Sequence, residues 1–108
     1  DWLYVKDNCA GIQLVLEKGK SGEVYNIAGE HELHNMDMTR KILSIMKKGD
    51  EMIQFVEDRK WHDQRYSIDA TKIKELGFSP QGTFDQNLRT TVEWYVQNPS
   101  WWKPLVKA

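Results

Sequence analysis

The segment Asp58-Arg59-Lys60-Trp61-His62-Asp63-Gln64-Arg65-Tyr66 places two arginines, a lysine, a histidine and two aromatic residues in one short polar run. That is the composition of an anion site. Guanidinium groups bind phosphate oxygens through paired N–H donors, an imidazole adds a donor whose charge can be tuned near neutral pH, and aromatic faces pack against a base or a sugar. The competing account is a solvated loop in which Arg59 and Arg65 pair with Asp58 and Asp63. Surface charge clusters of that kind are common and contribute little to stability.

Several elements must position this run. Residues 2–5 (Trp-Leu-Tyr-Val) form a short β-rich stretch, and Asp7 offers an N-cap for a helix through about Lys18 with Ala10, Leu14 and Val15 on one face. Val24-Tyr25-Asn26-Ile27 reads as a strand after a glycine-containing turn. Asn35 or Asp37 can cap a second helix whose buried stripe is Met38, Ile42, Ile45 and Met46, with Lys47-Lys48-Gly49 as its stop. Ile53–Val56 is another strand candidate. Asp69 caps a short helix ending at Gly77, with Ile73 and Leu76 on one side. The last long helix runs from about Phe84 to Gln97 on a stripe of Phe84, Leu88, Val92 and Tyr95, and Asn98-Pro99 ends it because proline cannot extend a helix. The expectation is an α+β fold, helix-rich, with two or three short strands in one domain.

Composition narrows the function. The 108 residues are 40% hydrophobic, enough for a globular core, and 29% charged with no apolar run of membrane-spanning length. A net charge of −1 argues against a nucleic-acid partner, which requires a large basic footprint. Cys9 is the only cysteine, so no internal disulfide can form; a reducing cytoplasm is the default, and the thiol's place on the first helix suggests core packing. The first residue is Asp and no signal peptide precedes it, so the start reads as a boundary set by processing or expression.

Continued by Ser67-Ile68-Asp69, Lys72-Ile73 and Leu76-Gly77-Phe78, the polar run resembles the Asp-Arg-Pro-Gly-His-Asp-Arg-Arg-Tyr signature of the nucleoside-diphosphate-glucose 4,6-dehydratase (dTDP-glucose 4,6-dehydratase) family. Three further stretches agree in order: Asp1-Trp2-Leu3-Tyr4-Val5-Lys6-Asp7, Gly22-Glu23-Val24-Tyr25-Asn26-Ile27-Ala28-Gly29 and Thr91-Val92-Glu93-Trp94-Tyr95. The resemblance covers essentially the whole chain.

It implies a small carboxy-terminal substrate domain of an extended short-chain dehydrogenase/reductase, residues 1–108 binding a sugar nucleotide. The amino-terminal Rossmann domain that carries NAD is expected to be absent. In agreement, the seven glycines contain no G-x-G-x-x-G and none of the four tyrosines begins a Tyr-x-x-x-Lys pair. Carried over by match, Arg59, His62 and Asn35 are the substrate-binding residues at the nucleotide diphosphate, and no catalytic, cofactor or metal residue falls in this chain. A family arginine directly before Asp-Trp would lie one residue ahead of Asp1. The parent enzyme would remove water from an NDP-glucose to give the 4-keto-6-deoxy sugar nucleotide of deoxysugar (rhamnose) biosynthesis. NAD would accept and return the hydride, in a cytoplasmic homodimer; the 108 residues alone should be inactive. The departure from the pattern is Lys60-Trp61 in place of Pro-Gly, which puts the loop backbone in question because those residues fix φ or permit positive φ.

Other constellations point elsewhere. His31 and His34 stand three apart, but without paired cysteines or a third spaced ligand they do not make a metal site. Trp94, Trp101 and Trp102 read as packing residues that pin the carboxy-terminal segment. Two rival functions remain open: a nucleotide-sugar epimerase of the same superfamily, separable by product analysis, and a non-catalytic interaction module, for which the aromatic residues at 94, 95, 101 and 102 speak.

Overall fold

The computed structural model describes residues 1–106, which group into two compact units. The first comprises Asp1–Leu33 and Val56–Gly82; the second comprises His34–Phe55 and the chain from Thr83 onward.

In the first unit, helix α1 spans Val5–Lys18 and helix α3 spans Thr71–Glu75. The core is Ala28, Ala70, Ile73 and Phe78, with Leu14, Val15, Tyr25 and Ile27 packed against it. Ile73 is fully buried. The end of α3 explains how Phe78 reaches it. Gly77 turns left-handed (φ 101°), its N–H donates to the Lys74 carbonyl, and the Phe78 N–H donates back to the Ile73 carbonyl at 3.2 Å. This is a Schellman ending, in which the residue after the glycine packs on the last turn. The N-cap of this helix is Ala70 rather than the expected Asp69, which stands one residue further out and accepts the Thr71 N–H at 2.7 Å. Gly29 is fixed by proximity: a Cβ there would lie 2.1 Å from the Trp2 carbonyl oxygen.

In the second unit, helix α2 (Asn35–Ile45) packs on helix α4 (Phe84–Gln97), which is followed by the short helix α5 (Pro99–Trp102). Met38 and Val92 are buried, and Ile42, Ile45, Phe84 and Leu88 are half-buried, as the helical stripes require. Met46 and Tyr95, the ends of those stripes, are exposed. α4 opens on a capping box: the Gln86 N–H donates to Thr83 Oγ1 at 3.3 Å and the Thr83 N–H donates to Gln86 Oε1 at 3.4 Å. Helix α2 stops on Lys47 (φ 55°), whose neighbour Lys48 donates its N–H to the Leu43 carbonyl, so the left-handed residue is a lysine before the expected Gly49. Trp102 Nε1 donates to the Tyr95 carbonyl at 2.8 Å and Trp94 meets Trp101 edge-on, pinning the last turn to α4.

Three further expectations are overturned. No strand forms among the described residues, so the fold is helix-rich without the two or three short strands. Val5 already begins α1, Val24 is exposed with its carbonyl taken by Lys72 Nζ, and Phe55 and Val56 are exposed. β-branched composition favours a pleated, half-buried surface, but a strand also needs a neighbouring ladder of N–H and C=O groups, and the Trp2 N–H bond to the His31 carbonyl is not extended into one among the described residues. Asp7 is not an N-cap. It lies in the first turn of α1, 5% exposed, where its Oδ1 accepts the Gln81 N–H at 3.0 Å across the first unit. Cys9 is exposed: α1 turns Gly11, Leu14 and Val15 inward, and Cys9 falls on the side of Val5, Ile12 and Leu16, which are exposed with it, as is Ala10.

Candidate functional site

The Asp58–Tyr66 run belongs to the first unit and is exposed throughout. Its backbone turns at Lys60-Trp61. The turn is closed by Asp58, whose Oδ1 accepts the Arg59 N–H at 2.9 Å while its Oδ2 lies 2.7 Å from His62 Nε2. His62 Nδ1 lies 2.8 Å from the Asp63 carbonyl oxygen. Both partners are acceptors, so the ring is held best as the imidazolium, with a proton on each nitrogen. The hydrogen bond to Asp58, then that to the Asp63 carbonyl, accordingly raises the His62 pKa. The same contact with His62 lowers that of Asp58.

The arginines of the run have different fates. Arg65 is committed: Nε donates to Glu32 Oε2 at 2.8 Å and Nη2 to Glu32 Oε1 at 2.6 Å. Ser67 Oγ donates to the same Oε1 at 2.7 Å. Arg65, then Ser67, hold the Glu32 carboxyl down to about 2. The Arg59 guanidinium has no hydrogen bond or ion pair among the described residues. Neither arginine follows the simple solvated-loop account. Arg65 finds its carboxylate in Glu32 rather than Asp63, and Arg59 offers Asp58 its backbone but not its side chain.

Trp61 answers the question raised by the loss of Pro-Gly. It adopts φ 61°, the left-handed conformation that glycine enters freely, and an L-residue there costs on the order of 1 kcal/mol. The turn therefore keeps a glycine-like backbone with an indole mounted on it.

Asn35, the third residue singled out, is the first residue of α2 and belongs to the second unit. Its carbonyl accepts from Thr39 Oγ1, while its carboxamide is exposed and has no hydrogen-bond partner among the described residues. It sits among the N–H groups of a helix start, where an anion is favoured. Residue type alone identified the basic members of the run. It missed Asp58 as the clasp of the turn and Glu32 as the clamp on Arg65. The first has a local signal, an acid four residues before a histidine; the second has none, since Glu32 and Arg65 are 33 positions apart.

No group of three or more His, Cys, Asp or Glu side chains that could hold a metal occurs among the described residues, and no described helix is long and apolar enough to cross a membrane.

The comparisons with known proteins bear on the whole chain. Residues 1–91 match the family described as GDP-mannose 4,6 dehydratase. A dTDP-glucose 4,6-dehydratase from Streptomyces niveus is 51% identical over 105 residues, covering 96% of this chain and 31% of the relative. The crystal structure of DesIV, a dTDP-glucose 4,6-dehydratase from Streptomyces venezuelae with NAD and TYD bound, superposes with a TM-score of 0.92 at 44% identity, over 98% of this chain and 33% of that one. The dTDP-glucose 4,6-dehydratase from Bacillus anthracis in complex with NAD gives 0.90 at 45% identity, over 98% and 34%. The chain thus spans about a third of the length of the relatives it matches. With the family match running through α1, the polar loop and the first half of α4, the chain belongs to the GDP-mannose 4,6 dehydratase family.

Proposed function

We propose that this chain is the substrate-binding part of an NAD-dependent dTDP-glucose 4,6-dehydratase, acting on an NDP-glucose to give the 4-keto-6-deoxy sugar nucleotide. The observation that carries the reading is the contrast within one loop: Arg65 is spent on Glu32 while the Arg59 guanidinium is exposed and uncommitted among the described residues. An unpaired guanidinium on a turn held by other residues is a pre-positioned fork for phosphate oxygens.

In this reading Arg59 holds the diphosphate from the first unit, and Asn35, on the second unit, is a separate candidate at the start of α2. His62 contributes positive charge from the same turn. Its Nε2 is already held by Asp58, so a phosphate must compete with that carboxylate, and its share is smaller than that of Arg59. The residues present do not fit NAD: the sequence has neither the glycine-rich phosphate loop nor the Tyr-x-x-x-Lys pair, so cofactor and hydride chemistry are assigned outside these residues. What this part supplies is binding and orientation of the sugar nucleotide, energy that raises turnover by positioning the reacting ring.

The test is calorimetric titration of dTDP and UDP into the full-length enzyme carrying this chain and into its Arg59→Ala variant. Weakened binding of both supports the reading; unchanged affinity for both removes the loop from the diphosphate site.

A further inference from the structure

Trp61 combines two unfavourable features without compensation among the described residues. Its indole is 101% exposed, and its backbone is left-handed at φ 61°. Among the described residues it makes no hydrogen bond, ring contact or cation contact. The other aromatic of the loop, Tyr66, is bonded to Asp63, which raises its pKa. Trp61 is thus the aromatic face of this turn with no engagement of its own.

Its placement says what could engage it. The Asp58–His62 contact closes the turn that carries Trp61, and Arg59 lies two residues away, its Cα within about 7 Å by chain geometry. A nucleoside diphosphate is charged at one end and carries a flat, weakly hydrated ring at the other. One turn offers a group for each end. We infer that Trp61 stacks on the base or sugar of the bound nucleoside diphosphate while Arg59 holds its phosphates, which rests on the functional reading above and extends it to the nucleoside. Stacking on an indole tolerates any base, because every base has a π-face. The contact therefore strengthens binding of dTDP and UDP alike and does not choose between them.

The experiment is titration of dTDP, UDP and inorganic pyrophosphate into the full-length wild-type enzyme, Trp61→Gly, Trp61→Phe and Arg59→Ala. Trp61→Gly should weaken both nucleotides by about tenfold, within a span of about fivefold to a hundredfold, and leave pyrophosphate unchanged. Trp61→Phe should restore most of the affinity. The melting temperature of Trp61→Gly should hold or rise, because glycine relieves the left-handed backbone. Nucleotide affinity unchanged in Trp61→Gly but lost in Arg59→Ala overturns the stacking role and leaves the diphosphate site standing. Equal losses of nucleotide and pyrophosphate in Trp61→Gly also overturn it, showing that Trp61 only shapes the turn. No loss in either variant removes the site itself, and a Trp61 occupied by another protein would give that result.

Discussion

Each of the two compact units has its own means of internal cohesion. In the second, α2 and α4 bury matching apolar stripes, and their ends are set by a capping box and a Schellman turn. In the first, a small core around Ile73 carries long irregular segments fastened at their edges by charge: Lys72 on Glu23 at 2.5 Å, Lys74 on Glu30, and Arg65 on Glu32. Exposed ion pairs are individually worth little, from nothing to about 1 kcal/mol. Their use here is to decide which cations are occupied and which remain open to a ligand. Helix packing builds a scaffold, and the ion-paired loops build a surface with selected vacancies in its charge pairing.

The largest effect should come from the core of the first unit. Ile73→Ala should lower stability by about 2 to 5 kcal/mol in denaturant unfolding, because a fully buried side chain leaves a cavity. If the irregular segments were held chiefly by their ion pairs, the loss would fall below about 1 kcal/mol.

The two arginines sharpen the contrast within the loop. Arg59→Ala should weaken dTDP and UDP by about 2 to 3 kcal/mol with NAD binding intact, and Arg59→Lys should recover only part, since an ammonium lacks the planar fork. Arg65→Ala should change affinity by less than about 1 kcal/mol, its guanidinium being held by Glu32. Equal losses from both would erase the distinction between spent and open cations.

In the second unit, Thr83→Ala should cost about 1 kcal/mol in thermal or denaturant unfolding, the worth of an N-cap, without touching nucleotide affinity.

The smallest effects are pH-dependent. A raised His62 pKa means its support of the turn is complete below the ordinary value of 6.5 and fades as pH rises through the higher folded value. The lowered Glu32 pKa works in the opposite sense: the clamp on Arg65 is complete above 4.5 and is lost as pH falls through about 2. Amide exchange at Arg59 should therefore quicken on the alkaline side beyond the intrinsic base-catalysed rate, and Asp58→Asn should abolish that excess. An unaltered excess in the variant would show that the Asp58–His62 contact does not hold the turn.

Much of this was legible in the residues. α4 occupies Phe84–Gln97 as its apolar period and the following proline demand, and Ile73 with Gly77 marks the end of α3. These features are local: periodicity, caps and breakers act within a few residues. The order of the polar run identified the family before any coordinate. The strands failed because extended backbone becomes a strand only when a neighbour supplies a ladder, and neighbours are a tertiary fact. The same local logic puts Asp7 at a helix start, while its partner Gln81 lies 74 positions away.

The sequence by itself thus determined the family, the helical frame and the residue types available to hold an anion. The tertiary structure decided which of those residues were free: it closed Glu32 on Arg65, folded Asp58 against His62, and left the side chains of Arg59 and Trp61, on one turn, unpartnered among the described residues. The physical reason is range. Helix propensity and capping act between near neighbours in the chain, whereas charge pairing depends on distance in space, which only the folded chain defines.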